Sequence, residues 1–143
     1  MNRHLILWPA LVLVAITFAV WLRMLMTRVG GMKERKIHPQ AVASRAQLGE
    51  VMGDLSAPAD NFLNLFELPV LFYFLVALLH QQVLVPGYFV AGAWLYAALR
   101  GAHSWIHCTY NKVMHRFTIY LASCAVLWLL WAAYAVQVAR TRF

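Results

Sequence analysis

Acidic residues are scarce in this chain: five Asp and Glu stand against twelve Lys and Arg in 143 residues, a formal net charge of +7. Charge of any kind is sparse as well, at 12% of residues, while 63% are apolar. A soluble domain carries about a quarter charged residues and roughly 45–50% apolar ones. So small a polar complement cannot cover the chain in water, which excludes an ordinary soluble globule. Cysteine is limited to Cys108 and Cys124, with no CxxC spacing. That excludes a disulfide framework and a zinc finger, and both thiols read as small buried apolar groups. Low-complexity tracts and internal repeats are missing too. The basic residues fall between apolar blocks rather than along one stripe, which argues against a nucleic-acid partner.

What is present is a set of four long apolar runs, and the mean hydropathy is +0.65. They predict spans over about Leu5–Met26, Asn61–Leu79, Gly87–Cys108 and Phe117–Val138. Each can cross roughly 30 Å of hydrocarbon at about 1.5 Å per residue. The first run is too long for the apolar part of a secretory signal, and basic residues follow it in place of a small-x-small cleavage site. Pro69 falls near the middle of the second run and predicts a kink. The expected fold is an all-α membrane protein, a four-transmembrane-helix bundle forming a single domain over 1–143. Its first loop would cover 27–60.

Loop one holds Arg28, Lys33, Arg35, Lys36 and Arg45, and loop three holds Lys112 and Arg116. Loop two has neither Lys nor Arg, and the termini contribute Arg3, Arg140 and Arg142. The excess of positive charge predicts that loops one and three are cytoplasmic and that both termini lie on the opposite side. An inner membrane is the expected location.

Ionisable groups inside a span are costly and turn toward a bundle interior or a wet cavity. Span two carries Asp60, Asn64 and Glu67 at i, i+4 and i+7, one face of a continuous helix. Span three carries Tyr96, Arg100, His103, His107 and Tyr110 at spacings of 4, 3, 4 and 3, again one face. Span four opens with Arg116, and Tyr120 follows one turn later; Arg23 lies near the end of span one. Counting rise per residue puts Glu67 and Arg100 at the same depth, each roughly 10 Å from the cytoplasmic edge. Asn64, His103 and Tyr120 match one level nearer that edge. One Glu cannot neutralise Arg23, Arg100 and Arg116, so the surplus cations suit an anionic ligand and a developing negative charge.

Other readings of the same residues stand beside this one. Glu67 and Arg100 could form a buried ion pair that sets helix register. His103 and His107 could share a metal with Glu67, but the interleaved arginines disfavour a cation and no metal site is assigned. Ser104, Thr118 and Ser123 have no acid–base partner at helical spacing, so no nucleophile triad is indicated. Asn111 is expected to cap the last helix.

The segments Asp60-Asn-Phe-Leu-Asn64-Leu-Phe-Glu67-Leu-Pro69, Arg100-x-x-His103-x-x-x-His107-x-x-Tyr110-Asn111 and Arg116-Phe-Thr-Ile-Tyr120, in that order, carry a resemblance. The chain resembles the MAPEG family, membrane-associated proteins in eicosanoid and glutathione metabolism, in its bacterial branch, over nearly its whole length. The resemblance implies a homotrimer of four-helix protomers that binds glutathione near the cytoplasmic face. It implies, further, a transferase or peroxidase acting on lipophilic electrophiles or hydroperoxides from the membrane. Carried over by motif, Arg116 would steady the glutathione thiolate with Tyr120 beside it. Arg28, Asn64, Glu67, Arg100, His103 and His107 would line the glutathione site. The alternative is a non-enzymatic protein of the same fold that binds another anion or lipid. The chain departs from the family pattern at Ala57, Asp60 and Leu63, where arginines usually stand, and at His107, often a tyrosine.

Overall fold

The computed structural model of the chain describes residues 2–38 and 53–140. A 3-10 turn, Arg3–Ile6, leads into α1 (Leu7–Glu34). A second 3-10 turn, Gly53–Ser56, leads into α2 (Ala57–Asn64), which is followed by α3 (Leu68–His80), α4 (Gly87–Cys108) and α5 (Val113–Arg140). No strand occurs among the described residues.

The outer helices are longer than the apolar runs. α1 continues through Arg28 and Lys33, and α5 begins before Arg116, because hydrophobicity marks where lipid ends while backbone hydrogen bonding continues into water. Both ends of the expected first loop are therefore helical: α1 runs to Glu34 and α2 starts at Ala57. Arg45 and the rest of 39–52 lie outside the described residues.

Three helical stretches are long and apolar enough to cross a bilayer: Arg3–Glu34, Ala57–His80 and Val113–Arg140. Of the four spans expected, α4 is the one whose polar stripe lowers its hydropathy. That stripe faces inward. Tyr96 and Arg100 are completely buried, and His103 and His107 nearly so, while Trp94, Leu95 and Trp105 are exposed. α4 packs against α1, α2 and α5 and is the centre of the bundle.

Pro69 divides the second span. Its ring would collide with the carbonyl of Leu65 and it has no N–H to donate there, so the helix opens over Leu65–Glu67 and restarts at Leu68. Glu67 occupies a non-helical conformation, φ −87° and ψ −105°, ahead of α3. The core below the break is apolar: Phe72 stacks on Tyr96 with centroids 4.5 Å apart, and Leu13, Leu75, Leu79, Phe89 and Leu127 are buried around them. Gly92 allows α5 to approach, since a Cβ there would lie 2.6 Å from Leu130 Cδ2. At the chain-start end of the bundle His4 meets His80 at 3.2 Å and Gln137 donates to Gln82 at 3.0 Å.

Candidate functional site

The break in the second span has an electrostatic consequence. A continuous helix would satisfy the Asn64 carbonyl with the N–H of Leu68, but Leu68 lies beyond the break. The last carbonyls of α2 are also the negative end of its dipole. Arg100 of α4 answers both: its Nη2 donates to the Asn64 carbonyl at 2.6 Å. The side chain is 0% exposed, and its Nε and Nη1 have no hydrogen-bond partner within the protomer. A guanidinium taken out of water with two donors unsatisfied is costly and calls for a partner.

Other side chains converge on it. The Arg100 guanidinium carbon lies 5.6 Å from the centre of the Tyr120 ring, a cation–π contact across α4 and α5. The His103 ring is 5.7 Å from Tyr120 and 5.7 Å from His107. His103 Nδ1 bonds the Arg116 carbonyl at 3.2 Å. A carbonyl only accepts, so Nδ1 carries the proton and Nε2 is left facing the cluster. The His103 Nε2, the Tyr96 hydroxyl and the His107 Nδ1 are buried without hydrogen-bond partners. Arg116 Nη1 donates to Asn111 Oδ1 at 2.6 Å, a neutral partner that leaves its charge uncompensated.

The expected residues thus divide. Arg100, His103, His107, Arg116 and Tyr120 gather between α4 and α5, and Asn64 joins through its backbone. Glu67 does not pair with Arg100 within the protomer, so the alternative reading, a register-setting ion pair, is not formed there. Unwinding at Leu65–Glu67 removes Glu67 from the helical face of Asp60 and Asn64; it is exposed, within electrostatic range of Tyr120. Arg28 is exposed on α1, roughly 140° around that helix from Arg23. Tyr110 leaves the α4 stripe because the helix ends at Cys108, and it is 55% exposed. Asn111 adopts φ +45° as its N–H closes on the Ile106 carbonyl at 2.8 Å. It therefore terminates α4 and holds Arg116, where a cap for the last helix was expected.

Several contacts had no place in the sequence reading. Asn61 is 0% exposed, accepts from Ser104 Oγ at 3.4 Å and points its Nδ2 at Cys108 Sγ, also 3.4 Å. Arg23 Nη2 donates to the Cys108 carbonyl at 2.8 Å, so Arg23 is the α1 cation that reaches α4. Asn61, Ser104 and Cys108 each stand one residue after a group already singled out. The α2–α4 contact is turned by about 100° from the expected stripe.

Two cavities open on the bundle, and one of them touches the cluster, through His107. One of about 410 Å³ is apolar and lies between α1 and the break, bounded by Thr17, Trp21, Phe62, Phe66 and Tyr73. The other, about 390 Å³, is polar and sits at the Arg116 end of the bundle, bounded by Arg23, Thr27, His107, Tyr110 and Asn111. Among the described residues no group of three His, Cys, Asp or Glu comes together that could hold a metal ion.

Long apolar helices around a buried, under-satisfied arginine and two histidines define a helical membrane protein with an internal cationic site. The MAPEG family model matches residues 6–136, most of the chain, and the chain belongs to the MAPEG family. No curated protein and no solved structure matches it.

Proposed function

We propose that this protein is a glutathione-dependent transferase or peroxidase acting on lipophilic electrophiles or hydroperoxides, with the thiol ligand held at the α4–α5 cluster. The observation that carries the reading is Arg100, buried with Nε and Nη1 free beside His103 Nε2 and the Tyr96 hydroxyl. The donor set fits the ligand. Glutathione brings two carboxylates for the guanidinium groups, an ammonium for the exposed Glu67, and the thiol that supplies the nucleophile. Arg100 holds a carboxylate, His103 Nε2 accepts from a ligand N–H, the backbone at Asn64 keeps Arg100 in place, and His107 closes the wall toward the polar cavity. Arg116 stabilises negative charge on sulfur, since a nearby cation favours the thiolate. Tyr120 lies over Arg100 and must swing aside to admit the ligand, after which its hydroxyl orients the sulfur. The apolar cavity at Trp21, Phe62 and Phe66 offers room for the lipophilic partner.

In this reading α4 is the fourth span, its apolar side to lipid and its polar side inward. The chain forms a homotrimer in a bacterial inner membrane, with the Arg116 end cytoplasmic. Arg28, exposed on α1, contributes across a protomer boundary. Calorimetric titration of the purified protein with glutathione tests the assignment: a saturable heat that disappears in Arg100→Met supports it. A flat trace at millimolar ligand favours the second reading, a MAPEG-fold protein that binds another anion without catalysis. Asp60, an exposed negative charge on α2 where the family usually carries arginine, speaks for that alternative.

A further inference from the structure

The polar cavity at the Arg116 end does not stand alone. Arg23 and Cys108 also bound an apolar cavity of about 240 Å³ between α1 and α4, lined further by Ile16, Ala19, Gly101 and Trp105. On α1 the lining positions 16, 19, 20, 23 and 27 recur at helical spacing along one face, and on α4 positions 101, 104, 105 and 108 do the same. The two cavities are therefore one furrow, apolar in its inner part and polar at the rim. Close approach of the helices sets its floor, since a Cβ on Gly101 would lie 3.2 Å from Ile16 Cδ1. From Ile16 to Thr27 the furrow runs about 16 Å along α1, close to half of a hydrocarbon core of about 30 Å.

The chemistry of the rim is one-sided. The Thr27 and Thr109 hydroxyls are already donated to the backbone of their own helices, at 2.7 Å each. The Tyr110 hydroxyl meets His115 Nδ1 at 3.3 Å and the Asn111 oxygen accepts from Arg116. That leaves the Asn111 amide N–H, the Arg23 guanidinium, with one nitrogen on the Cys108 carbonyl, and His107, which is 3% exposed with an unpartnered Nδ1. Among the described residues no carboxylate lines either cavity. A ligand that fills both parts carries an anionic oxygen cluster at one end and a hydrocarbon chain one leaflet long at the other.

We infer that the α1–α4 furrow binds a phospholipid, its phosphate on Arg23 and His107 and one acyl chain along Ile16, Ala19 and Gly101. The site borders the α4–α5 cluster at His107 and at Asn111, whose side chain holds Arg116. Bound there, the lipid ties α1 to α4 at the level of the cluster.

Native mass spectrometry of the purified, delipidated protein titrated with dioleoyl phosphatidylglycerol reads this directly. The parent holds one lipid per protomer, and Lys33→Gln, which removes a charge elsewhere on α1, holds it equally. Arg23→Gln lowers retention at least about tenfold through loss of a charge-assisted contact. Ala19→Trp lowers it comparably by filling the acyl path with the rim intact. Both positions are exposed, so the fold tolerates the changes. Retention at the parent level in either variant overturns the inference. So does displacement of the lipid by millimolar inorganic phosphate, which would mark a free-phosphate site, or disulfide linking of two copies through Ala19→Cys, which would mark a protein interface.

Discussion

Replacing Arg100 by methionine separates a ligand-binding arginine from one that holds the fold together. The guanidinium makes one hydrogen bond, to the Asn64 carbonyl at 2.6 Å, and leaves Nε and Nη1 unsatisfied. A hydrogen bond from a charged donor contributes about 1.5–3 kcal/mol, and the orphaned Asn64 carbonyl costs about 1–3 kcal/mol more. Against this, removing two unpaired buried donors recovers about 1–3 kcal/mol each. The contributions cancel within a couple of kcal/mol, and methionine fills the space with a flexible apolar chain. For a chain of this size a kcal/mol moves the midpoint by roughly 2–4 °C, so melting in detergent micelles should change by less than about 8 °C in either direction. Breaking a buried ion pair would instead cost about 3–5 kcal/mol. A fall of more than about 10 °C would refute the reasoning and make Arg100 a structural residue.

Glu67→Gln should melt with the parent, because Glu67 is exposed and unpaired with Arg100; a clear loss on the same assay would restore the ion pair. Asn61→Ala should lower stability by about 1–3 kcal/mol, since it strips Ser104 of its partner inside the α2–α4 contact, which thermal unfolding measures. Gly92→Val should cost about 1–3 kcal/mol by forcing Leu130 away, read as a lower midpoint with unchanged helical circular dichroism at low temperature. Arg116→Ala should abolish the ultraviolet thiolate absorbance of bound glutathione while size-exclusion chromatography shows the same assembly; an unchanged spectrum would remove Arg116 from its role.

Depth along each helix was the most legible part of the site. Counting residues from the span ends placed Arg100 level with Glu67, and Asn64, His103 and Tyr120 one level nearer the edge. The His103–Tyr120 contact keeps to its level, while Arg100 reaches about one turn outward to the Asn64 carbonyl and the Tyr120 ring. The direction of side chains around a helix was legible only where the helix continues. Helical periodicity correctly turned Tyr96, Arg100, His103 and His107 inward together. It failed at Glu67, where Pro69 unwinds the backbone, and at Tyr110, which lies past the end of α4. The pairing of Arg100 with a backbone carbonyl was hidden for a related reason. A carbonyl becomes available only after a helix breaks, and side-chain patterns do not report it. Asn61 escaped notice because a lone amide in an apolar run carries no charge to draw attention, though burial makes its hydrogen bonds matter as much.

The most direct test is a structure determined with glutathione bound. It should place a ligand carboxylate about 3 Å from Arg100 Nε or Nη1, with Tyr120 displaced and the sulfur toward Arg116. Glutathione seated elsewhere, with both Arg100 nitrogens still lacking a partner, would contradict the account.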